Sequence, residues 1–141
     1  PATALATLPD DELAFLLFPV EQPELFDAVA LDAHDRVLEI RVKQPNAGSH
    51  WIWGAFKMPG RVFHALRALW LERAPPDEYI GTLVNAYLAR GGQAIGVKAG
   101  HAYVDVGTLD GYRRAMLMLS DEQEDSLFTR RHSSRSREAR T

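Results

Sequence analysis

A nearly continuous apolar run, Glu12 to Phe18 (ELAFLLF), closed at once by Pro19, limits the fold of this 141-residue chain more than any other stretch. Its length suits a strand better than a helix, although periodicity alone does not separate the two. A strand of successive apolar residues must be covered on both faces. The segments able to cover it follow in order. Gln22 to Phe26 can make one helical turn. Ala28–Leu31 and Arg36–Lys43 flank four turn formers, Asp32-Ala33-His34-Asp35, and read as a hairpin. In its second arm Val37, Glu39 and Arg41 point one way, and Leu38, Ile40 and Val42 the other. Gln44–Ser49 is loop by composition, and Trp51–Met58 is an aromatic-rich strand. Gly54 interrupts that strand, as a glycine does at a bulge or a close approach.

Pro59 opens a helix, Gly60–Arg73, with Val62, Phe63, Leu66, Leu69 and Trp70 on one face. Pro75-Pro76 breaks it. A second helix is predicted over Asp77–Arg90, with Tyr79, Leu83 and Tyr87 on one stripe and Ile80, Val84 and Leu88 beside it. Gly91-Gly92 ends that helix. Gln93–Val97 reads as a strand, Ala99-Gly100 as a turn and Tyr103–Val106 as another strand. Thr108 then caps a last helix, Leu109–Leu119. The order of elements is that of an α/β or α+β domain, not a bundle or a sandwich. Residues 1–11 read as a flexible entry segment, 12–119 as the folded body, and 120–141 as a disordered charged tail.

Several function classes are excluded. No apolar run approaches the roughly 18 residues that a membrane-spanning helix needs, and PATALATLPDDE lacks the pattern of a signal peptide. Cysteine is absent, which excludes thiol catalysis, disulfides and cysteine zinc sites. That absence is compatible with a reducing cytoplasm, the expected compartment. The five histidines, at 34, 50, 64, 101 and 132, do not pair at metal-ligand spacing. No G-x-S-x-G, P-loop or G-x-G-x-x-G is present. Residues 130–141 carry five Arg against one Glu, a net +4; with the whole chain at −3, the first 129 residues carry −7. An acidic body is not a phosphate-backbone binder, so nucleic acid is not an expected partner, and the basic tail reads first as a solvated terminus.

Polar residues at strand ends and loop mouths remain: Lys43, Ser49, Glu78, Thr82 and Asp105, with Gly54 as an access point. Lys43 ends a strand, where its ammonium can reach a phosphate as a point charge or guard a sheet edge. Glu78 falls in the first turn of the second predicted helix, where the dipole favours a carboxylate in any case. Asp105 has two readings: an acceptor for the amides of its own turn, or a metal or substrate ligand.

These residues carry a resemblance. From about Leu17 to Met116 the chain resembles the C-terminal half of sugar nucleotidyltransferases, the glucose-1-phosphate thymidylyltransferase group. Val42-Lys43-Gln44-Pro45 with Ser49-His50-Trp51 resembles the family's Glu-Lys-Pro loop and the serine-asparagine that follows. Trp53-Gly54-Ala55-Phe56 is similar to its Thr-Gly-Ile-Tyr strand. Asp77-Glu78-Tyr79-Ile80-Gly81-Thr82 resembles its Gly-Glu-x-Glu-Ile-Thr-Asp helix start. Tyr103-Val104-Asp105-Val106-Gly107-Thr108 resembles its Trp-x-Asp-x-Gly-Thr strand-turn, the most specific of the four.

The resemblance implies a mixed-sheet α/β fold, the C-terminal portion of a Rossmann-like nucleotide-diphospho-sugar transferase. It implies transfer of a nucleotidyl group from a nucleoside triphosphate to a sugar 1-phosphate, with release of pyrophosphate. Lys43 is then the catalytic residue holding the sugar 1-phosphate, Gly54, Glu78 and Thr82 lie around the substrate, and Asp105 binds Mg2+. The chain departs from the family at Val42, where the acidic neighbour of Lys43 stands, at Gln44, which separates Lys43 from Pro45, and at Leu83, where the family has Asp. The glycine-rich nucleotide loop and the first metal aspartate have no counterpart in these residues. The expectation is therefore of a chain inactive alone, partnered by a complementing N-terminal half or forming a homo-oligomer. The alternative is a non-catalytic sugar-phosphate-binding or oligomerisation module. Leu13–Phe18 is expected to lack strand neighbours and to leave an apolar edge open to self-association.

Overall fold

The apolar run becomes strand β1, Leu13–Pro19, and it is covered on both faces. Leu13, Phe15 and Leu17 enter one core with Val62, Leu66 and Val84, whereas Ala14 and Leu16 pack with Leu8 on the other side. The computed structural model describes residues 2–120; the tail expected to be disordered lies, from residue 121 on, outside them. The chain divides into two units after Tyr103.

The first unit is a mixed α/β structure built on a five-stranded sheet. Its elements are α1 (Ala2–Ala6), β1, a 3-10 turn (Pro23–Leu25), β2 (Asp27–Leu31), β3 (Val37–Val42), β4 (Trp51–Lys57), α2 (Gly60–Glu72), α3 (Ile80–Ala89) and β5 (Ala94–Val97). The strand order is β3-β2-β4-β1-β5, with β1 antiparallel to β4 and parallel to β5. β1 therefore has neighbours on both sides, and the open apolar edge expected there does not exist.

Both outer strands are also engaged. On α3, the Asn85 amide donates to Ile40 O and accepts from Ile40 N–H, each at 2.7 Å, closing part of the free edge of β3. At the other border the hairpin turn reaches β5: Gly96 N–H donates to Asp35 O at 2.8 Å, and Arg36 bridges Ile95.

The hairpin forms where its turn formers predict, but its alternation breaks. Leu31 pairs with Val37 and Ala30 with Glu39, leaving Leu38 as a bulge residue, 61% exposed. Val37, Ile40 and Val42 thus share the core side, and Leu38 does not join them. Gly54 is likewise a bulge residue: Leu16 faces Ala55 and Leu17 faces Trp53, so Gly54 has no partner across the ladder.

The two consecutive helices lie on the core of Leu13, Phe15 and Leu17. Gly81 lets α3 approach β3 closely, since a Cβ there would lie 2.7 Å from Val42 Cγ2 and 2.8 Å from Ile40 Cγ2. Helix α3 ends in a Schellman arrangement: Gly91, at φ +86°, donates to Leu88 O, and Gly92 donates to Tyr87 O. It begins later than the sequence suggested, at Ile80, so Asp77, Glu78 and Tyr79 precede it. Arg73 pairs with the Asp77 carboxylate, and the Trp70 indole N–H donates to Asp77 O at 3.3 Å. These contacts hold the linker, and Tyr79 enters the helix from an extended conformation. The entry segment also differs from the frayed end expected. It carries α1, Leu8 is buried, and Lys57 and Arg61 donate to the carbonyls of Leu8 and Asp11.

The strand expected over Tyr103–Val106 does not form. Its composition favours a strand, but no ladder partner is present among the described residues, and a strand without one has unpaired backbone groups. Residues 109–120 are helical. Thr108 caps them as predicted, its hydroxyl accepting from Gly111 N–H at 3.0 Å.

Candidate functional site

The site is built at the end of the hairpin away from its turn. Lys43 follows β3 with φ +46°, a left-handed conformation that a non-glycine residue rarely adopts. Its own N–H donates to Phe26 O at 3.2 Å, which fixes the backbone there. The ammonium is carried over the ring of Tyr79, 5.7 Å from the centroid, within the range of a cation–π contact. Strand β2 contributes Asp27. It stands opposite Val42 in the ladder, and residues directly opposite share a face. Val29 and Leu31 extend that face into the core. Burial pushes the Asp27 carboxyl above the usual carboxylate range, and the Lys43 charge and the Trp53 indole partly offset the rise. The Trp53 Nε1 donor is itself buried and has no well-formed hydrogen bond among the described residues.

Tyr79 also walls two clefts. One, of about 450 Å3, runs along Arg73, Pro75, Pro76, Glu78 and Thr82. The other, of about 380 Å3, is apolar and opens between β4 and the two helices, at Phe56, Met58, Phe63, Trp70 and Leu83. Phe63 and Trp70, expected in the buried face of α2, are 55% and 42% exposed because they line this opening.

Of the residues singled out from sequence, Glu78 and Thr82 share the first cleft, and Lys43 stands over its Tyr79 wall. Glu78 is exposed in the linker, so the dipole argument made for it from sequence does not apply. The Thr82 hydroxyl donates to Tyr79 O at 2.8 Å and keeps an acceptor lone pair for another donor. Gly54 lies elsewhere. The rings of Phe18 and Tyr103 close over it, and a Cβ would come within 2.7 Å of Phe18. Ser49 accepts from Trp51 N–H at 3.1 Å and serves its own loop.

Asp105, in the second unit, accepts from Gly107 N–H at 2.9 Å through Oδ1, which is the local-turn reading of this residue. Oδ2 accepts no hydrogen bond among the described residues. Among the described residues no group of three or more His, Asp or Glu side chains could hold a metal ion. One carboxylate oxygen nevertheless fits a single position of a magnesium shell, because Mg2+ keeps waters and phosphate oxygens for the others.

Asp27 was missed from sequence. Its only signal is an acid at the head of the apolar stretch Ala28–Leu31. Counting outward from the turn would place it opposite Arg41, and the bulge at Leu38 moves it to Val42.

The chain matches no family model and no curated protein. Among solved structures it is similar to a chain from Bacillus anthracis, described as a glucose-1-phosphate thymidylyltransferase and crystallised in complex with a sucrose. The TM-score is 0.63 at 24% identity, over 77% of this chain and 43% of that one. This likeness is one of fold, and the present chain spans less than half the length of that one. Among the described residues no helix is long and apolar enough to cross a membrane.

Proposed function

We propose that this chain supplies the sugar-phosphate side of a sugar nucleotidyltransferase. One observation carries the reading: a strained backbone at Lys43 holds a cation over the aromatic wall of the cleft that contains Glu78 and Thr82. The similarity in fold to the Bacillus anthracis protein supports it. Left-handed non-glycine residues cost of order 1–3 kcal/mol, and they cluster where geometry serves function.

In this reading Lys43 binds the phosphate of a sugar 1-phosphate as a point charge. Glu78 accepts from sugar hydroxyls, and Thr82 offers its remaining lone pair. A phosphate oxygen so placed attacks the α-phosphorus of a nucleoside triphosphate in line, and pyrophosphate leaves. Asp105, in the second unit, is the proposed carboxylate ligand for Mg2+, a cation that when bound supplies charge neutralisation to phosphoryl chemistry. Gly54 belongs to the framework that seats Phe18 and Tyr103. Because the chain spans 43% of its structural neighbour, turnover is proposed for the complete fold and binding for these residues.

Titration calorimetry with α-D-glucose 1-phosphate and Mg2+ tests this. Binding is expected, and Lys43→Met should weaken it at least about 10-fold, as loss of a charge-assisted contact does. No heat from glucose 1-phosphate, or full affinity in Lys43→Met, would overturn the assignment. Pyrophosphate release by this chain alone, in the presence of a nucleoside triphosphate, would overturn the assignment of turnover to the complete fold.

A further inference from the structure

We propose that Asp27 is the specificity carboxylate of this site, accepting from a ligand hydroxyl and so selecting a sugar phosphate over phosphate alone. The inference rests on the sugar-phosphate reading above and assigns a residue that the sequence comparison did not reach.

Three features of the hairpin's open end place Asp27 in this role. The register sets its side chain beside Val42, one residue before Lys43, so an anion and a cation emerge from adjacent strands at the same end of the hairpin. Yet the two make no ion pair within 4.0 Å, and among the described residues the Asp27 carboxylate has no salt bridge to any Lys or Arg. Each of the other acidic groups on this hairpin has a partner: Asp32 accepts backbone amides, Asp35 meets Lys98 at 2.6 Å, and Glu39 meets Arg41 at 3.0 Å. A half-buried carboxylate without a salt bridge is destabilising, and simple exposure would relieve it.

The second feature is the Trp53 indole N–H, a buried donor also short of a partner. The indole stands near enough to the Asp27 carboxyl to lower its pKa but outside good hydrogen-bond geometry, and one N–H in any case leaves carboxylate lone pairs for an incoming hydroxyl. The third is the sign of the charges. Inorganic phosphate is attracted by Lys43 and repelled by Asp27. A ligand that places its phosphate on Lys43 and a hydroxyl on Asp27 satisfies both groups, and the repulsion becomes discrimination against the wrong ligand.

The test compares α-D-glucose 1-phosphate with inorganic phosphate on the wild-type chain and on Asp27→Asn, a change that keeps the shape of the side chain. Hydrogen bonds to a charged acceptor are among the stronger ones. Asp27→Asn is therefore expected to lose about 10-fold in glucose 1-phosphate affinity while phosphate affinity stays level or rises. Asp27→Glu, which retains the charge, should recover part of the preference. Near-ultraviolet circular dichroism of each variant reports whether the fold is kept, and an unfolded Asp27→Asn leaves Asp27→Glu and Asp27→Ser to carry the same comparison. Equal loss for both ligands, or no loss for either, overturns the assignment of Asp27 and leaves the role of Lys43 standing. Absence of glucose 1-phosphate binding in the wild type removes the wider reading, and this one with it.

Discussion

The two ends of the β2–β3 hairpin begin from the same backbone device and put it to opposite use. Each carries a non-glycine residue in the left-handed region, Asp35 at φ +59° and Lys43 at φ +46°. At the turn end every charge is engaged. Asp32 accepts from His34 and Arg36 amides at 2.8 and 2.9 Å, Asp35 pairs with Lys98, and Arg36 pairs with Glu12 at 2.7 Å. At the open end Lys43 lies over an aromatic ring, and the Asp27 carboxylate has no salt bridge among the described residues. Strain alone does not distinguish a structural corner from a ligand site. Strain combined with charge left unpaired does, because the fold then bears two costs that ligand binding can offset.

The largest expected effect comes from cutting the support that both ends share. Asn85 satisfies Ile40 N–H and C=O in the middle of β3. Asn85→Ala leaves both groups unpaired at a part-buried edge and should destabilise the chain by about 2–3 kcal/mol in urea unfolding. The uncovered edge should also raise self-association in sedimentation experiments. A loss below about 1 kcal/mol would mean that water replaces the amide without penalty, and that the two ends do not depend on a common anchor.

A smaller effect separates the ends from each other. Lys43→Gly relieves the left-handed strain and should raise stability by about 1 kcal/mol while glucose 1-phosphate binding disappears. Asp35→Gly relieves similar strain but breaks the ion pair with Lys98, so its net change should fall near zero. Thermal melts of the two variants check the contrast. If Lys43→Gly melts lower than wild type, the conformation at Lys43 is supported by local contacts and is not held against its preference.

How much of this was legible in the sequence depends on how local its cause is. The apolar run of β1, the turn formers at residues 32–35, the Gly91 stop and the Thr108 cap all act within a few residues, and each is found where predicted. The α2 and α3 periodicity marks two helices, though α3 starts three residues late and Phe63 and Trp70 are exposed. Gly54 also marks a bulge as its place in a strand suggested. The features that define the site depend on distant partners. Asp27 matters because a bulge at Leu38 sets it against Val42 and because burial raises its pKa. Asn85 reads as a stray polar residue on an apolar helix until β3 is beside it. Glu78 fell within the helix predicted over Asp77–Arg90, whereas the Arg73–Asp77 pair and the Trp70 bond hold the linker and the helix begins at Ile80. The motif around Asp105 was read as a strand because its residues favour one, and among the described residues no ladder completes it.

The smallest expected effect is the one that sets the two ends most directly against each other, through the pH dependence of stability. Asp32 and Asp27 start from the same ordinary carboxyl value of 3.8 and move in opposite directions. Amide hydrogen bonds from Arg36 and His34 lower Asp32. A lowered group binds its proton less tightly when folded. Its stabilisation is present above pH 3.8 and is lost as pH falls through the folded value. Burial raises Asp27, so the sign reverses. Its contribution is full below pH 3.8 and is lost as pH rises through the folded value. Asp32→Asn should therefore flatten the acid limb of the stability curve, and Asp27→Asn should remove a decline on the neutral side and raise stability at about pH 7. Urea midpoints from about pH 2.5 to about pH 7 measure both limbs. An Asp27→Asn variant less stable than wild type at neutral pH would show that its carboxylate already has a partner in the free protein, and the contrast between the hairpin's ends would fail at its open end.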